Sequence, residues 1–339
     1  MTDSETAAEA AEIARRAAAL LGRRVLRITA PAGREQASWR IHLSDDTMIV
    51  TRRTDAERAA RERMVLSRLA PLTDAVPRLL AAEDELTIQS DLGRDRLSVA
   101  ANRADAGQRH KLARDAVDSI LAIQRAAVTA GLAEEPTLPA VGRDAGITGR
   151  RLDAITALAQ ALGVEPPTLD RALVTDAMAV APVGFVRGDC RAGNAVLDSG
   201  GRVRWFDFED AGRGPGTEDF VRLINDETWP LPPEAMLEII RARLDPRDTD
   251  NPEAYLADLR ARAVLHAGGR LGRILRRARL HGWQVRAEIL RRDRLGTHPA
   301  MAAAFADRVA RLAADCPLCH GAEPVFAAAA HSVRAVWQR

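Results

Sequence analysis

The sequence has almost no lysine: Lys111 is the only one among 49 basic residues, and arginine supplies the rest. A cation that meets a phosphate here must therefore almost always be arginine, a permanently charged fork rather than a point charge. Cysteine is scarce too, with three residues, too few for the disulfide framework of a small secreted domain. Aromatics make up 4% of the chain, with a single tyrosine. No uninterrupted apolar run approaches the ~20 residues a membrane-spanning helix needs. The opening, Thr2-Asp3-Ser4-Glu5 followed by alanines broken by charges, has neither the basic start nor the apolar stretch of a signal peptide. A cytoplasmic protein that does not engage a membrane is expected. The net charge of +2 gives no global case for nucleic acid.

What is present suits a soluble globular chain: 339 residues, 47% hydrophobic and 28% charged, enough for one large domain or two ordinary ones. Thr6 to Leu21 reads as an alanine-rich helix. From Val25 the period changes to two, in Val25–Thr29 and Trp39–Leu43, with Met48-Ile49-Val50 as a third run. Turn residues separate the three, which predicts an antiparallel meander. Thr54 and Glu57 match a capping box opening the next helix. Leu79–Ala82 and Leu86–Ser90, about an acidic turn, complete a sheet of five strands. Beyond Asp91-Leu92-Gly93 the pattern is helical, interrupted by two short apolar runs, Gly184–Val186 and Val203–Phe206, around a polar loop. The expected fold is α+β with two lobes. Residues 1–90 form a small lobe with a five-stranded antiparallel sheet and one helix, 91–94 a hinge, and 95–339 a larger helical lobe. A cleft between lobes is where ligands usually bind.

The polar loop carries the chemistry. Phosphoryl transfer from ATP to an alcohol needs a carboxylate to orient and deprotonate the hydroxyl, and oxygen ligands for the magnesium that bridges the phosphates. Asp189 with Asn194 five residues on can supply the first carboxylate and one metal ligand, and Asp207 at the end of a short strand can supply the other.

Val186-Arg187-Gly188-Asp189, Asn194 and Asp207-Phe208-Glu209 resemble the catalytic segment of the aminoglycoside phosphotransferase family and its choline, thiamine, homoserine and fructosamine kinase relatives. In that family a His-Gly-Asp loop is followed after four residues by Asn, and then by Asp-Trp-Glu or Asp-Phe-Glu. The resemblance implies Asp189 as catalytic base, Asn194 and Asp207 as Mg2+ ligands, and Asp219 as a brace for the loop. Ser90-Asp91-Leu92-Gly93 resembles the family's hinge, which makes Ser90 and Leu92 expected nucleotide contacts. By kinase register Arg52 takes the position of the phosphate-binding cation, with Glu62 as its tether. The plainer reading leaves Arg52 and Arg53 as solvated strand ends. Gly33 and Ser38 belong to the expected phosphate-covering loop. The implied activity is direct in-line phosphorylation of a hydroxyl on a small molecule, with ATP or GTP as donor. The alternative is an inactive, ligand-binding protein of the same fold.

Arg187 stands where the family has histidine, and an ion pair to Asp219 or Asp207 is the expected substitute. Cys316-Pro317-Leu318-Cys319-His320 has the spacing of a metal motif but reads better as a turn with packed thiols. Arg270 to Arg294, interleaved with Leu271, Ile274, Leu275 and Leu280, reads as a solvated helical face rather than a nucleic-acid surface. Glu209, Asp210, Glu218, Asp226 and Glu227 are the carboxylates nearest the metal segment, and Trp229 is either a stacking wall or core.

Overall fold

Alternation of Trp39 and Ile41 with Ser38, Arg40 and His42 makes one strand face apolar and the other polar, so a sheet built on it needs cover on one side. In the computed structural model, which describes residues 3–30, 38–142, 144–179 and 183–337, helix α1 (Asp3–Leu21) supplies that cover. Then come β1 (Arg27–Thr29), β2 (Ser38–His42), β3 (Thr47–Arg52), α2 (Ala56–Leu69), β4 (Leu79–Glu83) and β5 (Leu86–Ser90). The five strands form one sheet in the order β1-β2-β3-β5-β4, every neighbouring pair antiparallel. Ile13 and Ala17 of α1 pack on Trp39, Ile41, Met48, Val50, Leu86 and Ile88. The opposite face, with Arg40, Ile49, Thr51 and Gln89, turns toward the rest of the molecule.

Two boundaries differ from the expectation. The first strand begins at Arg27 rather than Val25. The cap of α2 is Asp55, whose carboxylate accepts the Arg58 N–H at 3.0 Å, rather than Thr54. Two helices, α1 and α2, accompany the sheet rather than one. Helix α2 sends Val65, Leu66 and Leu69 into the core of the helical part, so the sheet is anchored there by packing as well as by its chain connection.

The helical part starts with β6 (Asp95–Arg96), α3 (Leu97–Arg103) and the long α4 (Ala106–Thr129), which opens on a capping box between Asp105 and Gln108. Next come α5 (Ala145–Leu162) and α6 (Arg171–Ala179). Four short strands then carry the polar loop: β7 (Gly184–Val186), β8 (Ala195–Leu197), β9 (Val203–Trp205) and β10 (Gly212–Gly214). β10 pairs with β7, while β8 lies between β6 and β9. After them run α7 (Thr217–Ile224), α8 (Pro233–Arg243), α9 (Pro252–His281), α10 (Arg286–Arg292), α11 (Pro299–Ala314) and α12 (Glu323–Trp337). The apolar faces of all of these but α10 share one core with α4 and Trp205. Trp229 belongs to that core, 1% exposed, with its indole N–H on Met236 Sδ at 3.2 Å. None of the described helices is long and apolar enough to cross a membrane.

Candidate active site

The polar loop is held from below by Asp219 of α7. Its buried carboxylate accepts the backbone N–H groups of Arg187 (3.1 Å) and Gly188 (3.2 Å), and the Gln124 amide from α4 (3.1 Å). Burial raises the pKa of Asp219, and those donors pull against it. Gly188 has φ of +93°, and a Cβ there would collide with the Asp210 carbonyl, so the turn before Asp189 requires glycine.

Arg187 braces the loop by another route than the expected ion pair. Its guanidinium donates to the carbonyls of Asp189 and Phe206, and to that of Asp207 at 3.1 Å. It lies 5.3 Å from the Trp205 ring and 5.1 Å from that of Phe208. At 1% exposure it ties together the two halves of the segment through carbonyl dipoles, and Asp207 keeps its carboxylate for other partners.

Asp189 faces Arg191, whose Nε lies 3.0 and 3.1 Å from its two oxygens, and it accepts the Asn194 amide at 2.8 Å. Burial pushes the Asp189 carboxyl up, but the charges of Arg191, Arg187 and Arg222 prevail and bring its pKa to about 2. The group is ionised at neutral pH. The Asn194 Nδ2 is engaged with Asp189, and Asn194 and Asp207 both line the cleft. Asp207 adopts φ of +70°, a conformation few side chains tolerate, and gives one oxygen to Arg53 at 2.6 Å.

The arginine that faces the cleft is Arg53, whereas Arg52, expected there, lies on the opposite face. On β3 the cleft face runs Ile49, Thr51, Arg53, while Met48 and Val50 share the α1 face with Arg52. Arg52 accordingly pairs with Glu9 of α1 at 2.5 Å. Arg53 binds Glu62 at 2.7 and 3.2 Å, Asp207 at 2.6 Å, and Glu209. Burial works against the Arg53 charge, but Glu62 and the other two carboxylates raise its pKa. Glu62, fully buried, also accepts the Phe208 N–H at 3.1 Å, so it positions both Arg53 and the segment that follows Asp207. Burial and the Asp207 charge raise the pKa of Glu209.

Arg53, Glu62, Asn194 and Asp207 line a cavity of about 350 Å³ between sheet and helices, within the usual range for a small-molecule pocket. Ser38, Ser90 and Leu92 line it, and Gly33 lies outside the described residues. Ser38 Oγ is 3.1 Å from Thr51 Oγ1, and Ser90 Oγ accepts the Arg78 N–H at 2.9 Å. The connecting segment is fixed to the sheet by Arg40, which pairs with Asp91 and donates to the Gly93 carbonyl at 2.8 Å. Sequence reasoning missed Arg191, a bare loop arginine, and Asp293 after α10, which meets Arg191 at 3.5 Å. Strict alternation along β3 was the available signal for Arg53. Nothing local marks Asp293. Cys190, Cys316 and Cys319 are buried free thiols, and His320 Nδ1 lies 3.0 Å from the Ala314 carbonyl.

Residues 27–259 match the model of the phosphotransferase enzyme family. Among solved structures, the chain is similar to a choline/ethanolamine kinase family protein from Mesorhizobium loti, with 12% identity, TM-score 0.55, and 96% and 99% of the two chains covered. It is also similar to the ADP-bound aminoglycoside phosphotransferase APH(2″)-Ib, with 13% identity, TM-score 0.52, and 86% and 99% covered. A third is APH(2″)-IIa in its ternary complex with streptomycin and ATP, with 13% identity, TM-score 0.50, and 78% and 90% covered. At these identities the likeness carries the two-lobed fold. No curated protein sequence matches the chain.

Proposed function

We propose that this chain, which belongs to the phosphotransferase enzyme family, transfers the γ-phosphoryl group of ATP or GTP to a hydroxyl of a small molecule. The observation that carries this reading is that Arg53, Asn194 and Asp207 line one cavity, with Asp189 hydrogen-bonded to Asn194. The structures with bound ADP, or with ATP and streptomycin, are of similar fold and support a nucleotide donor. We read residues 1–90 as the nucleotide-binding lobe, 91–94 as the hinge, and 95–339 as the lobe that receives the acceptor.

The donor set suits magnesium. Asn194 Oδ1 and the Asp207 oxygen not held by Arg53 are hard ligands, and magnesium is usually held by one or two carboxylates plus substrate phosphates. A bound magnesium ion would bridge and partly neutralise the donor phosphates. The other roles fall to side chains. Arg53, tethered by Glu62, would offer its guanidinium to the phosphates. Ser38 and the hinge would line the nucleotide. Asp189, ionised, would align the acceptor hydroxyl and take its proton as the oxygen attacks in line.

One feature favours a second reading, a nucleotide-binding protein without turnover: both oxygens of Asp189 already face Arg191. A turnover assay on wild type and Asp189→Asn distinguishes the two. Acceptor-dependent ADP release that falls by 10²-fold or more in the variant is expected, the scale for losing a general base. Nucleotide binding with equal turnover in both proteins would contradict the proposal.

A further inference from the structure

Asp293 stands between the cavity and the candidate base. It follows α10 in the left-handed region, with φ of +49°, and its carboxylate sits against Gly193 of the polar loop, where a Cβ would strike it. Two arginines share that carboxylate. Arg191 approaches it at 3.5 Å while its Nε holds both oxygens of Asp189, and Arg96 of β6 approaches it at 3.9 Å. Charges of alternating sign thus run from Arg96 through Asp293 and Arg191 to Asp189. Burial works against the Arg191 charge, but the charges of Asp293 and Asp189 raise its pKa.

Arg96 is the loosely held end of this row. Both Arg96 and Asp293 line the cavity that Arg53, Asn194 and Asp207 line. Of the other arginines there, Arg40 is tied to Asp91, Arg53 to Glu62, Asp207 and Glu209, and Arg94 is exposed. The Arg96 side chain is 15% exposed, yet its guanidinium makes no hydrogen bond among the described residues. Its Nη1, the atom nearest Asp293, is buried without an acceptor, and 3.9 Å is beyond hydrogen-bond reach. A buried donor with no acceptor is costly, and a phosphate oxygen entering the cavity would remove that cost with a charge-assisted bond.

We propose that Arg96 is a second cation for the donor phosphates, beside Arg53, and that Asp293 is the positioning residue that couples it to the base. As the phosphates take Arg96, Asp293 is left with Arg191 alone and draws it from Asp189, which opens the base to the acceptor hydroxyl. This rests on the phosphotransferase reading above. It sets an order of binding, donor before acceptor, and gives the hold of Arg191 on Asp189 a means of release. Asp293 touches neither substrate and acts through Arg191. The transfer itself is unchanged: the acceptor oxygen bonds to the γ-phosphorus, its proton passes to Asp189, and the bond to the β,γ-bridging oxygen breaks to leave the nucleoside diphosphate.

The test needs no acceptor. Apparent affinity for a non-hydrolysable ATP analogue with magnesium is read by thermal shift in wild type, Asp189→Asn, Asp293→Asn and the double variant. Asparagine tolerates the left-handed backbone at position 293, so the turn is kept. If binding must part Arg191 from Asp189, then Asp189→Asn removes that cost in advance. It should tighten the analogue about fivefold or more, the low end of couplings between sites. The gain should vanish in the Asp293→Asn background, where nothing draws on Arg191. Arg96→Gln should weaken the analogue about tenfold or more, the scale of a lost charge-assisted bond, and Arg96→Lys should recover part of it. The Asp189→Asn gain should vanish in the Arg96→Gln background too, which decides the matter if Asp293→Asn does not fold. No gain in Asp189→Asn, or undiminished affinity in Arg96→Gln, would overturn the inference. So would a gain of equal size in every background, the result expected from simply removing a negative charge near the phosphates. Failure of the analogue to shift wild type strikes the phosphotransferase reading itself, and this inference with it.

Discussion

Arg191 sets the charge state of the candidate base. Asp189 has its carboxyl drawn from the ordinary 3.8 to about 2, chiefly by Arg191. A depressed folded pKa stabilises the protein above the unfolded value, and that stability is lost as pH falls from about 4 through about 2. Arg191→Gln removes the main lowering influence, so the Asp189 pKa should rise. The acid limb of kcat/KM should then move toward neutral pH, whereas an unchanged limb would show that Asp189 does not govern it. Arg187 acts on the same loop without charge pairing. Arg187→Ala strands the Phe206 and Asp207 carbonyls, each worth ~1–3 kcal/mol when buried and unsatisfied, while the Asp189 carbonyl keeps the Arg191 N–H, and urea denaturation should register a loss of several kcal/mol. If the post is only structural, Arg187→His should keep turnover within tenfold in the fraction that folds.

At the scale of elements, the parity of β3 decides which arginine reaches the cleft. Arg53→Ala should abolish nucleotide binding, while Arg52→Ala, which loses only a half-exposed pair with Glu9, should cost at most ~1 kcal/mol and leave binding intact. Equal effects of the two in a nucleotide titration would contradict the assigned faces. Helix α2 is the lever that couples sheet to loop. Glu62→Ala removes the carboxylate from a buried pair and from the Phe208 N–H, and should destabilise by ~3–5 kcal/mol in denaturant. Much of this level was legible in the sequence. Strand alternation, turn residues and apolar runs report local physics, and they placed the sheet, the helical part and the loop with Asp189, Asn194 and Asp207. Arg52 was misplaced because counting residues from a motif ignores the pleat. The brace under Arg187 was misjudged because an arginine's partners include carbonyls, which leave no trace in residue type.

At the scale of the molecule, what stayed illegible comes from helices far apart in sequence. Asp293 meets Arg191 across about a hundred residues, and Arg270, read as one of a solvated row, is instead paired with the buried Glu227. Such contacts depend on how the segments after α7 and α10 meet α9 and the polar loop, and no local period encodes that. The cavity itself depends on the sheet being held over the helical part by α2, Arg40 and Asp91. The central claim is that this cavity binds a nucleotide through magnesium held at Asn194 and Asp207. The most direct measurement is a thermal-shift titration with ATP, with and without magnesium, on wild type and Asp207→Ala. Ligand at a hundred times its Kd should stabilise wild type by about 2.7 kcal/mol. The account expects that rise to require magnesium and to fade in Asp207→Ala. No rise with ATP or GTP, or one indifferent to both magnesium and Asp207, would contradict it.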